Sequence, residues 1–271
     1  MLDRLRYDGQ RVIVTGAASG MGEAVARIAG ELGAEVFAVD VKEPKIAVAK
    51  FIETDLRDPA SIDAAVDTIG EPVHKLFNCA GLPNLFPALE VMLVNFVGAR
   101  HLITRVLRVM PPRSAIASIS SVGGMGWARN LEPINELLTA GGFDEARRWC
   151  EEHPDVVGDG YSFSKQCIIV NTMASAGELI GKGIRINCIS PGPTTTPMYP
   201  QFVEAMGKDF WDAWPRPMGR DASPEEQAHA LVFLNSDAAT FITGTNLFTD
   251  GGFTGAALTG QIDMTKLGRK G

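Results

Sequence analysis

Arg11-Val12-Ile13-Val14-Thr15-Gly16-Ala17-Ala18-Ser19-Gly20-Met21-Gly22 decides the fold. A short run rich in β-branched residues meets a glycine turn, after which Ala24, Val25, Ile28, Ala29 and Leu32 recur at helical spacing as far as Gly33. The order is strand, glycine turn, helix. Glycine lets the backbone approach a pyrophosphate closely, and free N–H groups at a helix start favour its negative charge. Glu35 to Asp40 then reads as a second strand ending in an acid, about 20 residues past the glycines, as a dinucleotide-binding unit requires. Asp40 can bond both hydroxyls of an adenosine ribose and repels a 2′-phosphate. A glycine turn alone is a common tight connection, but strand, turn, helix, strand and acid in sequence favour the dinucleotide.

The same alternation continues outward. Only nine residues separate Asp40 from Lys50, so the connection to a third strand over Lys50 to Thr54 is abbreviated. Asp58-Pro59 supplies a capping acid and a first-turn proline for a helix through Ile69. A fourth strand and turn follow at Leu76 to Gly81, a helical stretch at Glu90 to Met110, and a fifth strand ending at Ser120-Ser121. An apolar helix begins at Tyr161, and a sixth strand covers Ile184 to Ile189. Ser223-Pro224-Glu225-Glu226 carries a capping box, and a last strand with its turn spans Phe241 to Gly252. This pattern predicts a single α/β domain over 1–271, doubly wound and Rossmann-like, with a mostly parallel seven-stranded sheet.

Composition narrows the partners. The 271 residues are 45% hydrophobic and 21% charged, an ordinary globular balance. A formal charge of −7, with no basic block beyond Lys266, Arg269 and Lys270, argues against nucleic acid. The absence of a leader-like start or a ~20-residue apolar run argues against a membrane and predicts a cytoplasmic protein. Cys79, Cys150, Cys167 and Cys188 and the four histidines show no ligand spacing, so no metal is expected.

The chemistry is concentrated at Tyr161-Ser162-Phe163-Ser164-Lys165, where a phenol and an ammonium sit one helical turn apart on one face. A free tyrosine ionises near pH ~10. Bringing it to ~7 takes roughly 3 pK units, about 4 kcal/mol, which a partly buried ammonium and a cationic cofactor ring would have to supply. An isolated Y-x-x-x-K is usually an amphipathic pair, so the rest of the chain must support the catalytic reading.

The spacing T-G-x-x-x-G-x-G, the Asn78-Cys79-Ala80-Gly81 turn, Ser121, the Tyr161/Lys165 pair and Pro191-Gly192-Pro193-Thr194-Thr195-Thr196 together resemble the short-chain dehydrogenase/reductase family over most of the chain. Cys79 departs from the family's second asparagine. The resemblance implies a catalytic set of Asn95, Ser121, Tyr161 and Lys165. Tyr161 would take a hydroxyl proton, Lys165 would lower its pKa and hold ribose hydroxyls, Ser121 would orient the substrate oxygen, and Asn95 would anchor a relay water. It implies cofactor contacts at Gly16, Ser19, Gly20, Met21, Gly22, Asp40, Asp55, Leu56, Asn78, Ala80, Gly81, Tyr161, Lys165, Pro191, Gly192, Thr194 and Thr196. Asn78 is also expected to brace the central strands. Ser19, Asp40 and Val41 favour NAD over NADP, with Lys42 pulling the other way.

Two segments set this chain apart. A helical insertion of about residues 128–158 precedes Tyr161, as in the bacterial hydroxysteroid dehydrogenase/carbonyl reductase branch of the family. Its Leu131, Ile134, Leu137, Leu138, Phe143 and Trp149 are expected to alter subunit packing in a homo-oligomer, dimer or tetramer, and to border the substrate mouth. A lid of about residues 197–222, rich in Met198, Tyr199, Phe202, Met206, Phe210, Trp211 and Trp214, is expected to cover a small hydrophobic alcohol or ketone, steroid-like in shape. The implied reaction is NAD-dependent interconversion of a secondary alcohol and a ketone. An isomerase or dehydratase on this scaffold, or a non-catalytic NAD sensor, are the alternatives.

Overall fold

The computed structural model describes residues 2–263. After a short turn at Leu2–Leu5, the chain runs β1 (Arg11–Thr15), α1 (Gly20–Glu31), β2 (Glu35–Asp40), β3 (Lys50–Glu53), α2 (Pro59–Ile69), β4 (Lys75–Asn78) and α3 (Ala88–Met92). A widened π turn, Leu93–Val97, joins α3 to α4 (Gly98–Val106). Next come β5 (Ala115–Ile119), a 3-10 stretch (Val122–Asn130), α5 (Leu131–Thr139), α6 (Phe143–Glu152), α7 (Pro154–Val157) and α8 (Tyr161–Gly181). The chain finishes with β6 (Arg185–Pro191), α9 (Tyr199–Met206), α10 (Lys208–Asp212), α11 (Pro224–Asn235), β7 (Asn246–Thr249) and α12 (Phe253–Leu258).

All seven strands are parallel, in the order β3-β2-β1-β4-β5-β6-β7. Alternate residues of each strand feed opposite faces. Val12, Val14, Val36, Ala38, Phe77 and Ala117 pack with α1 and α11, whereas Ile13, Phe37, Val39, Leu76 and Ile116 pack with α2, α4 and α8. The chain leaves β1 toward one edge and restarts at β4 toward the other, so the carboxyl ends of β1 and β4 flank a crevice. The Thr15 hydroxyl accepts from the N–H of Cys79 (3.0 Å) and of Ala80 (3.1 Å) across it.

The β2–β3 connection holds no helix, as its length required. The Asp58 cap and the Ser223/Glu226 capping box both form. The last strand is shorter than its sequence suggests. The Arg185 guanidinium takes the carbonyls of Leu234 (2.6 Å), Ser236 (2.9 Å) and Ile242 (3.2 Å), Gly244 N–H donates to the Ile186 carbonyl (2.7 Å), and the regular strand runs from Asn246. The tail cations Lys266, Arg269 and Lys270 lie outside the described residues.

The insertion is a helical hairpin, and most of its apolar face packs against its own chain, while Leu131 stays exposed. Ile134, Leu137, Phe143, Ala146 and Cys150 are buried in the core that includes α4 and α8. Arg100 of α4 donates to the carbonyls of Leu137 (2.8 Å), Leu138 (3.1 Å) and Ala140 (2.8 Å), fastening the hairpin turn. Because Leu137 is fully buried, Leu137→Ala should lower unfolding free energy by about 2 to 5 kcal/mol. Urea denaturation checks this, and a loss below about 1 kcal/mol would mean that the hairpin is only loosely attached.

Candidate active site

The carboxyl ends of the strands open into a cleft of about 660 Å3. At one end lies the glycine turn. Gly16 has a positive φ of 68°, and a Cβ there would stand 2.7 Å from the Ala80 backbone, while one on Gly22 would stand 2.1 Å from the Gly16 carbonyl oxygen. Only glycine allows that closeness. Ser19 precedes α1 with no side-chain capping bond, which leaves the first-turn N–H groups to the cleft. Asp40 closes this end, accepting from the N–H of Ala18 (3.0 Å) and of Lys42 (3.1 Å). The turn, the open amides and the carboxylate fit a dinucleotide.

The reacting end is built where β5 meets α8. Ser120 Oγ donates to the Lys165 carbonyl (2.7 Å), and Lys165 Nζ donates to the Ile119 carbonyl (3.0 Å), stitching strand to helix. Ser121 caps the following 3-10 stretch, accepting from Gly123 N–H (3.0 Å), and lines the same cleft as the Tyr161 phenol. Lys165 Nζ lies 5.6 Å from the centre of the Tyr161 ring. The two side chains converge on the cleft.

Their proton affinities differ from expectation. Burial pushes the Tyr161 phenol up to about 12; the Ser121 hydroxyl opposes this and the Asp159 charge adds to it. Burial also brings Lys165 down to about 8, with Cys79 nearby opposing the fall. In the cofactor-free protein burial is thus the largest influence on both groups.

Asn95 lies in the π turn, 1% exposed, outside the cleft wall. Its Oδ1 accepts from Leu82 N–H (2.7 Å), and its Nδ2 donates to the Leu82 carbonyl (3.0 Å) and to Ser164 Oγ (3.2 Å). Both amide hydrogens are engaged, and the side chain clamps the Gly81-Leu82 loop. Asn78 likewise stays in the sheet, donating to Ser118 Oγ (3.2 Å), and does not reach the cleft. The other residues expected at the cofactor all line the cleft, as does Ser121.

The lid forms the far wall with Met198, Tyr199, Phe202, Met206, Trp211 and Trp214. Trp211 Nε1 donates to Tyr199 Oη (2.5 Å), which donates to Asp221 (2.7 Å), and Arg216 also pairs with Asp221. Phe202 meets the Tyr161 ring edge-on, 5.2 Å between centres. The hairpin contributes nothing to the wall. From 128–158 no side chain reaches the cleft, because α5 and α6 pack behind α4 and α8; only Asp159, Tyr161 and Ser162 just beyond do so. Sequence reasoning missed Asp159 and Asn84, and the one available signal was an acid just before a helix start. Among the described residues no cluster of His, Cys, Asp or Glu could hold a metal, and no helix is long and apolar enough to cross a membrane.

This constellation is that of a nucleotide-dependent dehydrogenase, and the comparisons agree. Residues 10–131 match the short chain dehydrogenase model and residues 154–254 the enoyl-(acyl carrier protein) reductase model, leaving the hairpin between them. The chain belongs to the short-chain dehydrogenase/reductase family. It is 32% identical to coniferyl-alcohol dehydrogenase of Pseudomonas sp. (strain HR199 / DSM 7063), over 92% of this chain and 98% of that one. It is 29% identical to 3-alpha-hydroxysteroid dehydrogenase/carbonyl reductase of Comamonas testosteroni, over 89% and 95%. The crystal structure of 3-alpha-hydroxysteroid dehydrogenase from Pseudomonas sp. B-0831 complexed with NADH superposes with a TM-score of 0.76 at 26% identity, covering 94% of this chain and 100% of that one.

In the cofactor-free protein, Tyr161 should remain a phenol through the neutral range. Phenolate absorbance of the wild type minus that of Tyr161→Phe measures this, and a titration centred near neutrality would contradict it.

Proposed function

We propose that this protein is an NAD-dependent dehydrogenase that interconverts a hydrophobic, ring-bearing alcohol, secondary in the first instance, and its carbonyl compound. The observation that carries the reading is the convergence of Ser121, Tyr161 and Lys165 on one cleft, with Asp40 at one end and aromatic rings at the other. Bound NAD supplies the hydride acceptor. The chain's own groups manage the oxygen and the proton. Ser121 Oγ holds the substrate oxygen, and Tyr161 Oη takes its proton in oxidation and returns it in reduction. Lys165 keeps one N–H on Ile119 and offers the others to ribose hydroxyls. Asn95 fixes the loop beside Lys165.

The lid supports an apolar substrate, since rings and methionines line that wall and Phe202 shields the phenol from water. The relatives named for coniferyl alcohol and 3-alpha-hydroxysteroids, both ring-bearing, favour the same class. Asp40 favours NAD by repelling a 2′-phosphate. Homo-oligomerisation belongs to this reading too, supported by exposed Phe241, Leu247 and Phe248 around the edge strand β7.

Coniferyl alcohol and a 3α-hydroxysteroid, each offered with NAD and with NADP, form the test. NAD should give the higher kcat/KM, and Tyr161→Phe should lose at least ~100-fold in kcat while still binding NAD. Near-normal turnover by Tyr161→Phe would remove the phenol from the mechanism.

A further inference from the structure

We propose that Asp159 is a positioning residue for Tyr161, whose carboxylate fixes the first turn of α8 and places a negative charge at the foot of the tyrosine side chain. The inference rests on the acid–base role of Tyr161 proposed above. Asp159 Oδ1 accepts from the N–H of Tyr161 (3.0 Å) and, more weakly, from that of Ser162 (3.4 Å), while Oδ2 accepts from Asn84 Nδ2 (3.1 Å). The acid thus ties the start of the Tyr161 helix to the loop after β4, at the rim of the cleft.

Tyr161 opens a 21-residue helix, where free N–H groups and the helix dipole would favour a phenolate. Asp159 occupies those N–H groups and sets a negative charge at the foot of the Tyr161 side chain. Both effects make proton loss harder. The other groups facing the phenol are Ser121 from the end of β5, Lys165 one turn along α8, and the uncharged Phe202 of the lid. Of the remaining charged groups on the cleft wall, Glu90 and Asp55 are paired with Arg57, while Asp40 and Lys42 stand at the nucleotide end. Asp159 is therefore the acid placed to set how readily Tyr161 gives up its proton.

Asp159→Asn separates charge from geometry. Its amide oxygen can keep the bonds to Tyr161 and Ser162, and Asn84, whose Oδ1 has no partner, can turn over to accept from the new amide. The primary readout needs no substrate. With tyrosines labelled at the ring carbon bearing oxygen, NMR follows the Tyr161 resonance, assigned with Tyr161→Phe, as pH rises in the cofactor-free protein. In Asp159→Asn the onset of phenolate should move to lower pH, and the shift should shrink in ~1 M salt, where the screening length is ~3 Å. Asp159→Glu should stay near the wild type. An unmoved resonance in Asp159→Asn, or equal shifts in the Asn and Glu variants, would overturn the inference. The pH profile of coniferyl alcohol oxidation should move with the resonance. A resonance that moves while the rate profile stays fixed would leave Asp159 with its electrostatic role and remove Tyr161 as the base.

Discussion

The Lys165 ammonium is 4% exposed, and an isolated charge in that position would be costly to bury. The Ile119 carbonyl makes it tenable by accepting from Nζ at the open end of β5. The same strand end delivers Ser120 to the Lys165 carbonyl and Ser121 to the cleft that Tyr161 also lines. Three successive residues thus set the helix, the cation and the phenol relative to the crevice. The sheet order matters because it brings β5 beside β4 and the crevice beside both.

The phenol starts far from a working proton affinity. Packing raises it, and a lysine that burial has itself weakened does not reverse the rise. In the proposed mechanism the oxidised nicotinamide would add a second positive charge beside the ring, and proton transfer would then be coupled to having the cofactor in place. Phe202, resting edge-on against Tyr161, adds a barrier to water on the substrate side.

Much of this was legible in the sequence because it depends on local signals. The glycine turn, the acid closing β2, the Asp58 cap and the Ser223 capping box each act within a few residues, and each forms where the spacing puts it. Tyr161 and Lys165 were readable as a pair because one helical turn fixes their relation. What escaped depends on partners distant in the chain. That the Asn95 amide clamps the Leu82 backbone and Ser164, and that Asn78 is engaged by Ser118 within the sheet and does not reach the cleft, could not be read from spacing. The hairpin's apolar residues were evident, but that most of them turn inward onto α4 and α8, secured by Arg100, follows only from the assembled helices.

The central claim is that Tyr161 becomes a proton acceptor only when a bound cofactor adds its charge to that of Lys165. Calorimetry of NAD binding at mildly alkaline pH, in buffers of differing ionisation enthalpy, counts the protons released on binding. The account predicts a net release from the wild type that is missing from Tyr161→Phe. Equal proton counts for the two proteins would contradict it.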